Sequence, residues 1–527
     1  MRYFNTSGVC IPEEHYMVDL TSRLTQIKVM VDKGDYFTIN RGRQYGKTTT
    51  LRELQKRLKA EYVCIRISFE GIGQRGFETE EAFCRTFMRL IRNALKISSV
   101  ADDAAYIASW VDETVSDFVA LSDHISNQCE DRKLVLMIDE VDRSSNYGVF
   151  VVFLGMLRDK YLNRKDAPYY TFHSVILAGL HDIKNLKAKM IEQGKYTPHA
   201  GESTTYNSPW NIAADYEVDM SFNPDDIGSM LTEYKEEHPA IAMDTAAIAQ
   251  EIYAYAGGYP FLVSRLCQLV DEKLHQDWSL NGVQKAAQMV LSEQNTLFDD
   301  MIKNLEAYPD LYQFIYELLI VGEKKLNSID DPVVNRALMF CFLKRLDDNQ
   351  VIIHNRIFEI RISKYLITKE SREKKERRVT GILKQDVVKD GRFDMELCLK
   401  KFARHYRELF NESDIAFLER QGKMLFLSYI SPLLNGDGFY HFESQLSDLR
   451  RMDIVVDYNH EQFIIELKLW HGEAGHRAAY EQLAGYLRTK GAERGYLLTF
   501  DLRKSGNREP CEEWVNHDGM RIFDVVL

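Results

Sequence analysis

The sequence predicts an α/β fold built on a parallel sheet, followed by helical regions and a second, mixed α/β domain. Three observations lead there. Over residues 1 to about 220, apolar strand-like runs alternate with helical stretches: Tyr36–Ile39, Val63–Ser68, Leu134–Ile138 and Ser174–Ala178. That alternation argues a parallel sheet wrapped by helices. Between the first run and the helical-looking segment Leu51–Lys59 stands Arg41-Gly42-Arg43-Gln44-Tyr45-Gly46-Lys47-Thr48-Thr49. Near the other end, Glu466-Leu-Lys468 interrupts the apolar strand Gln462–Trp470.

Strand, glycine-bearing loop, Gly-Lys-Thr, helix is the layout of a phosphate-binding P-loop. Its N–H groups turn inward and cradle phosphate oxygens at a helix N-terminus. Gly46 and Thr49 belong to that cradle, Lys47 would reach the β/γ-phosphates, and the Thr48 hydroxyl would ligate Mg²⁺. The usual pattern opens with Gly where this chain has Arg41, and Gly42, one place on, would supply the backbone freedom. A chance Gly-Lys-Thr is the bland reading. Against it stands Lys133-Leu-Val-Leu-Met-Ile-Asp139-Glu140-Val-Asp142, an apolar buried-strand pattern ending in acids about 90 residues later. It has the form of a Walker B strand. Asp139 would hold the Mg²⁺ shell and Glu140 would polarise the attacking water.

In the C-terminal region, Arg451-Met-Asp453-Ile-Val-Val-Asp457 and Gln462–Trp470 read as strands joined by the turn Tyr458-Asn-His-Glu461. Glu466 and Lys468, two apart, share one face of the second strand. Asp453 could meet Glu466 across the hairpin. Two carboxylates and a lysine suit a Mg²⁺ site, where the metal polarises a phosphodiester and activates water. A solvated, salt-bridged sheet face fits the spacing equally well.

Asp453 with Glu466-x-Lys468 resembles the PD-(D/E)xK nuclease superfamily. The likeness continues through Trp470-His-Gly-Glu473, Tyr480-Glu-Gln482-Leu-Ala-Gly-Tyr486-Leu487 and the strand Gly495–Asp501. It implies a nuclease-like domain of the kind fused to bacterial P-loop ATPases, with Gln482 near the catalytic site. Ala479, Gln482, Leu483 and Tyr486 share a helical face. Glu443 matches an upstream acid of that superfamily, with Asp448 as an alternative. The N-terminal half resembles the AAA-like ATPases of the STAND and archaeal-type group, whose loops commonly begin with Arg at the Arg41 position. Supporting segments are Tyr3–Gly8 with Pro12–Tyr16, Val175–Leu180, Pro209-Trp-Asn-Ile212 and Gly257-Gly258-Tyr259-Pro260. The resemblance implies that Pro260 lies against bound nucleotide and makes Arg265 a sensor candidate.

The expected organisation is a P-loop ATPase core (1–220), a helical lid (221–294), a winged-helix-like domain (295–368), a charged linker (369–385) and a PD-(D/E)xK nuclease-like domain (386–527). The winged helix is read from short helices and a hairpin-like end at Val351–Glu359, and the resemblance to these ATPases implies a latch rather than a DNA reader. A hydrophobic fraction of 45% and a charged fraction of 28% place the chain among ordinary globular proteins. The absence of a run of 18 apolar residues argues against a membrane span. Eight scattered cysteines without a C-x-x-C pair argue against zinc and a disulfide framework, and for the cytoplasm. The net charge of −12 disfavours a DNA coat but leaves room for a local basic groove. The function expected is a nucleotide switch, with ATP and Mg²⁺ as cofactors, coupled to Mg²⁺- or Mn²⁺-dependent cleavage of nucleic acid, DNA above RNA. The alternative is an ATP-driven regulatory switch whose C-terminal domain only binds nucleic acid or protein. A homo-oligomer is left open.

Overall fold

The computed structural model describes residues 2–143, 148–179, 210–214, 216, 218–321, 323–328, 330–373, 384–409, 419–434, 437–441, 454–459, 461–470, 472–501 and 511–527. The chain divides into two compact units, Met1–Ala249 with Gly258–Gln268 and Leu338–Cys341, and Gln250–Gly257 with Leu269–Ala337 and Phe342–Leu527.

The first unit holds a four-stranded parallel sheet, β1 (Tyr36–Asn40), β2 (Val63–Ser68), β3 (Leu134–Asp139) and β4 (Ser174–Gly179), in the order β1-β4-β3-β2. All four expected strands are present. Every residue of β3 and β4 is buried, as continuous apolar runs require when helices cover both faces. Among the described residues, the helices of this unit are α1 (Thr21–Asp32), α2 (Lys47–Leu58), α3 (Glu80–Leu95), α4 (Ala104–Ser109), α5 (Phe118–Cys129), α6 (Gly148–Asn163) and α7 (Pro224–Glu237), with the starts of α8 (Thr245–Ala256) and α9 (Pro260–Glu272). α3 begins where the Thr79 hydroxyl accepts the Ala82 N–H, and buries Phe83, Phe87 and Ile91 at helical spacing. The core is aromatic. Phe83 and Phe153 rings lie 4.9 Å apart, and Trp210 stacks on Tyr36 at 5.9 Å. Because β1 and β3 both run toward the P-loop side, the residues after them converge at the carboxyl ends of the strands, where parallel α/β sheets bind ligands.

The chain's first segment packs in this unit. Tyr3 bridges His15, the Phe4, Tyr16 and Tyr234 rings cluster at 4.9–5.3 Å, and Arg2 pairs with Glu233 and Glu237 on α7.

In the second unit, α10 (Leu280–Ser292), α11 (Thr296–Ala307), α12 (Pro309–Tyr316) and α13 (Pro332–Met339, its last two residues belonging to the first unit) precede a small antiparallel sheet of β5 (Lys325–Leu326), β6 (Leu343–Arg345) and β7 (Gln350–Ile353), ordered β5-β7-β6. The hairpin-like end expected at Val351–Glu359 is half corrected. The Asn355 side chain accepts the Phe358 N–H at 2.8 Å, which caps a helix, so Arg356–Glu359 opens α14 (Arg356–Glu373). α14 also carries helix into the expected linker as far as Glu373.

The rest of this unit contains a short hairpin, β8 (Val388–Lys389) with β9 (Arg392–Phe393), helices α15 (Met395–Leu409) and α16 (Glu419–Leu434), and a six-stranded mixed sheet. Its strands are β10 (Gly438–His441), β11 (Ile454–Tyr458), β12 (Glu461–Leu469), β13 (Arg494–Phe500), β14 (Glu512–His517) and β15 (Met520–Val526), ordered β10-β11-β12-β13-β15-β14. β11 and β12 form the expected antiparallel hairpin, with Ile454 opposite Ile465, and β12, β13 and β15 run parallel. The crossover between β12 and β13 is α17 (Glu473–Lys490). Ala479, Leu483 and Leu487 of α17 pack on Ile464, Leu497 and Ile522 of one sheet face. On the opposite face, α15 and α16 cover β15 and β12, and Tyr406 meets Phe500 at 5.5 Å.

Candidate functional site

The P-loop follows β1 as expected, and α2 starts at Lys47. Gly46 adopts φ = 77° and Gln44 φ = 54°, so these two residues bend the loop through the left-handed region. Gly42 does a different job from the one expected of it. A side chain there would place its Cβ 3.1 Å from both Cys341 Sγ and Tyr259 Oη. Its N–H points to Cys341 Sγ at 3.4 Å, so glycine here permits close approach. Arg41, at the position where glycine usually opens the pattern, turns its guanidinium away. It donates to the Asn40 and Val218 carbonyls at 2.9 and 3.1 Å and lies over the Tyr216 ring.

Lys47 is buried, and its ammonium donates to the Arg41 and Gly42 carbonyls, both at 2.9 Å. Burial lowers its proton affinity, while the carboxylates of Asp142, Glu140 and Asp139 oppose that change. The Walker B acids and the P-loop lysine are thus gathered in one electrostatic neighbourhood. Asp139 ends β3 almost fully buried, and its Oδ1 accepts the Glu140 N–H at 3.0 Å. Glu140 has φ = 53°, a region that costs a side-chain-bearing residue about 1 kcal/mol. Burial pushes the Glu140 carboxyl up, the Lys47 charge pulls it down, and the Asp139 and Asp142 charges add to the rise. Thr48 is half-buried at the first turn of α2, whereas the Thr49 hydroxyl accepts the Cys10 N–H at 3.1 Å, which fastens the initial segment to this helix.

The Gly-Gly-Tyr-Pro segment also reaches the loop. Pro260 is the first residue of α9, and the hydroxyl of Tyr259 donates to the Arg43 carbonyl. The contacts of Tyr259 and Cys341 with the loop were not expected from the sequence. Tyr259 carries a signal, since a buried tyrosine beside two glycines needs a partner for its hydroxyl. Cys341 has none, because 299 residues separate it from Gly42. Arg265 donates to Gln268 at 2.7 Å.

These residues fit a Mg²⁺–nucleotide. The loop bends through the left-handed region at Gln44 and Gly46, the buried lysine feels three carboxylate charges, and a buried aspartate ends β3.

The second candidate site is on the mixed sheet. Glu466 is completely buried on the α17 side, in register with Leu497, and Lys468 Nζ lies 2.9 Å from its Oε1. The expected pairing of Glu466 and Lys468 on one face therefore holds. Gln482 is half-buried on α17, one residue before Leu483 of the helix–sheet core. Asp453, Glu443 and Asp448 lie outside the described residues. Among the described residues, no group of three or more His, Cys, Asp or Glu side chains is arranged to hold a metal.

Beside this pair is a cluster the sequence did not announce. Asp524 Oδ2 accepts the Tyr480 hydroxyl at 2.6 Å and contacts His476 Nε2 at 2.8 Å, and His476 Nδ1 lies 3.5 Å from the Thr499 hydroxyl. Thr499 is in register with Lys468. The spacing of His476 and Tyr480, one turn apart on an amphipathic helix, was the available signal.

Among solved structures, the chain is similar to the Walker-type ATPase paby2304 of Pyrococcus abyssi, at 13% identity and a TM-score of 0.46, covering 68% of this chain and 99% of that one. It is also similar to the ORC2 protein of Aeropyrum pernix in its ADPNP–ADP complexes, at 10% identity and a TM-score of 0.30, covering 66% and 93%. No curated protein matches it. No helix among the described residues is long and apolar enough to cross a membrane. The family described as AAA-like domain matches residues 13–362, more than half of the sequence, and the chain belongs to that family.

Proposed function

We propose that this AAA-like ATPase uses its nucleotide cycle to control Mg²⁺-dependent phosphodiester cleavage of nucleic acid, DNA above RNA, at the Glu466–Lys468 pair. The ATPase part is carried by the joint burial of Lys47 and Asp139 beside the raised carboxyl of Glu140. Lys47 and the loop N–H groups hold the phosphates, and Thr48 with Asp139 would hold Mg²⁺, which offsets phosphate charge. Glu140 orients the attacking water and accepts its proton. The higher proton affinity that burial gives it improves it as a base near neutral pH.

The cleavage part rests on the fully buried Glu466 with Lys468 at 2.9 Å, on a hairpin whose order matches the resemblance. Glu466 and Asp453 would hold the divalent ion, which polarises the phosphodiester. Lys468 offsets developing charge and Gln482 positions the water. Coupling between the two chemistries is supported by connectivity. The chain passes between the two units five times, at 249/250, 257/258, 268/269, 337/338 and 341/342. Gly257 and Gly258, both with positive φ, straddle one of these passages.

The complete burial of Glu466 favours one second reading, in which the ion pair is structural and the domain binds nucleic acid or protein without cutting it. Plasmid incubated with the intact chain and Mg²⁺ or Mn²⁺, with and without ATP, separates the two. The first reading expects metal-dependent nicking, abolished by Glu466→Gln with the melting temperature retained and altered by Lys47→Ala. Absence of cleavage under every metal and nucleotide condition selects the second. Equal cleavage by wild type and Lys47→Ala across ATP concentrations overturns the coupling.

A further inference from the structure

Helix α3 presents two faces. Phe83, Phe87 and Ile91 fill the core of the first unit. On the other side, Arg85, Arg89, Arg92 and the C-terminal residue Lys96 follow at steps of four, three and four residues, so they line up within about 60° of one another. Arg85, Arg89 and Lys96 are exposed, and Arg92 is half-buried. Arg85 pairs with Glu81 at 2.8 Å, with both side chains half in water, where such a pair is weak. Among the described residues, Arg89, Arg92 and Lys96 pair with no carboxylate. We propose that this basic row is a docking surface for the phosphate backbone of nucleic acid, DNA above RNA.

The row is ~16 Å long, which spans roughly five phosphates of one strand at about 3.4 Å of rise each. Three of its four cations are arginines, whose paired N–H donors match phosphate oxygens. The acids of α3, Glu80 and Glu81, stand in its first turn at the end of the row, and Glu80 accepts the Phe118 N–H at 3.3 Å. The chain as a whole carries a net charge of −12, so a polyanion is repelled on average and held where cations gather. A membrane suits the helix less well, because its apolar face is already spent in the core. An acidic protein also suits it less well: the aromatic residues of α3, Phe83 and Phe87, are buried, so the row lacks the anchor that protein interfaces use. The inference rests on nucleic acid being the partner and not on its being cut.

The test is fluorescence anisotropy of a short labelled DNA duplex with the intact chain in EDTA, so that binding is read apart from cleavage. Arg89→Glu combined with Lys96→Glu, both at exposed positions, should weaken binding more than tenfold at low salt and keep the melting temperature. Arg89→Ala combined with Lys96→Ala should flatten the slope of log K against log salt by about 2, since each phosphate contact contributes ~0.9. Glu81→Gln should tighten binding about twofold, a gain that impaired folding cannot produce. A chain that binds through this row and never cuts refutes the cleavage reading and supports this one. Unchanged affinity and salt slope in the paired variants, or no binding by wild type, would overturn the proposal. So would tighter binding of poly-glutamate than of the duplex, which would assign the row to an acidic protein.

Discussion

Arg356 Nη2 lies 2.5 Å from Asp457 Oδ2, joining the first residue of α14 to β11 of the mixed sheet. The guanidinium sits between the rings of Tyr255 and Phe439, 5.2 and 5.3 Å from their centres. His441 Nδ1 approaches the same carboxylate oxygen at 3.2 Å, and Gln462 donates to the other oxygen at 2.9 Å. One side chain thus ties the end of α8, the start of α14 and two sheet strands within the second unit.

This tie should hold at neutral pH and open in acid. Burial pushes the Asp457 carboxyl up, but the His441 hydrogen bond, the His441 and Arg356 charges and the Gln462 bond together leave it below its usual value of 3.8. A carboxyl depressed on folding contributes stability above its unfolded pKa and loses it as pH falls through the folded one. Asp457→Asn should lower the urea midpoint at pH 7 by an amount corresponding to about 1.5–3 kcal/mol. The gap to wild type should narrow only below about pH 4. A gap that closes already at pH 6 would assign the effect to another group.

Gly42→Ala should disturb the P-loop from outside. The new Cβ must displace Cys341 Sγ and Tyr259 Oη, each 3.1 Å away. A cost of about 1–3 kcal/mol is expected from overpacking, with weaker ATP binding. Cys341→Ala in the same chain should restore part of both, because the two positions share one contact. Melting curves and calorimetry on the four chains give the coupling, and strict additivity would deny it.

Glu140→Gln should retain ATP and hydrolyse it about 10²-fold more slowly or worse, the usual worth of a positioned base. Since the carboxyl is raised above 4.5 in the folded chain, the acid limb of the wild-type kcat/KM profile should fall above pH 4.5. Phosphate release followed from pH 4 to 8 checks this. A mutant within threefold of wild type would move the role elsewhere.

Asp524→Ala should destabilise the mixed sheet by roughly 3 kcal/mol or more, because it strands the buried His476 and the Tyr480 hydroxyl together. Tyr480→Phe removes one donor and should cost about 1 kcal/mol. Denaturant titration of both variants tests the ordering, and equal losses would contradict it.

Legibility followed sequence distance. The four parallel strands, the Gly46–Thr48 turn into α2 and the β11–β12 hairpin could be read because their signals are local: periodicity, a turn and a loop–helix junction. The pairing of Glu466 with Lys468 was readable for the same reason, through the two-residue period of a strand. Partners brought together only by folding were invisible, among them Cys341 on Gly42, Arg356 on Asp457 and His476 on Asp524. Gly42 was noticed and its purpose misread, since composition reports that a glycine is present and not whether φ or space requires it. Val351–Glu359 was misread where Asn355, able to serve as turn or cap, serves as a cap.

The contact of Gly42 with Cys341 also sets an order of assembly. The thiol that meets the loop is made 299 residues after Gly42. At roughly 5–20 residues per second, the nascent chain must carry an unfinished P-loop for about 15–60 s. During that interval its strands can pair and its aromatic core can close, but the segment Leu338–Cys341 has yet to be made. Synthesis of Leu338–Cys341, and not the early collapse of the sheet, is therefore the earliest moment at which Gly42 can meet its thiol neighbour.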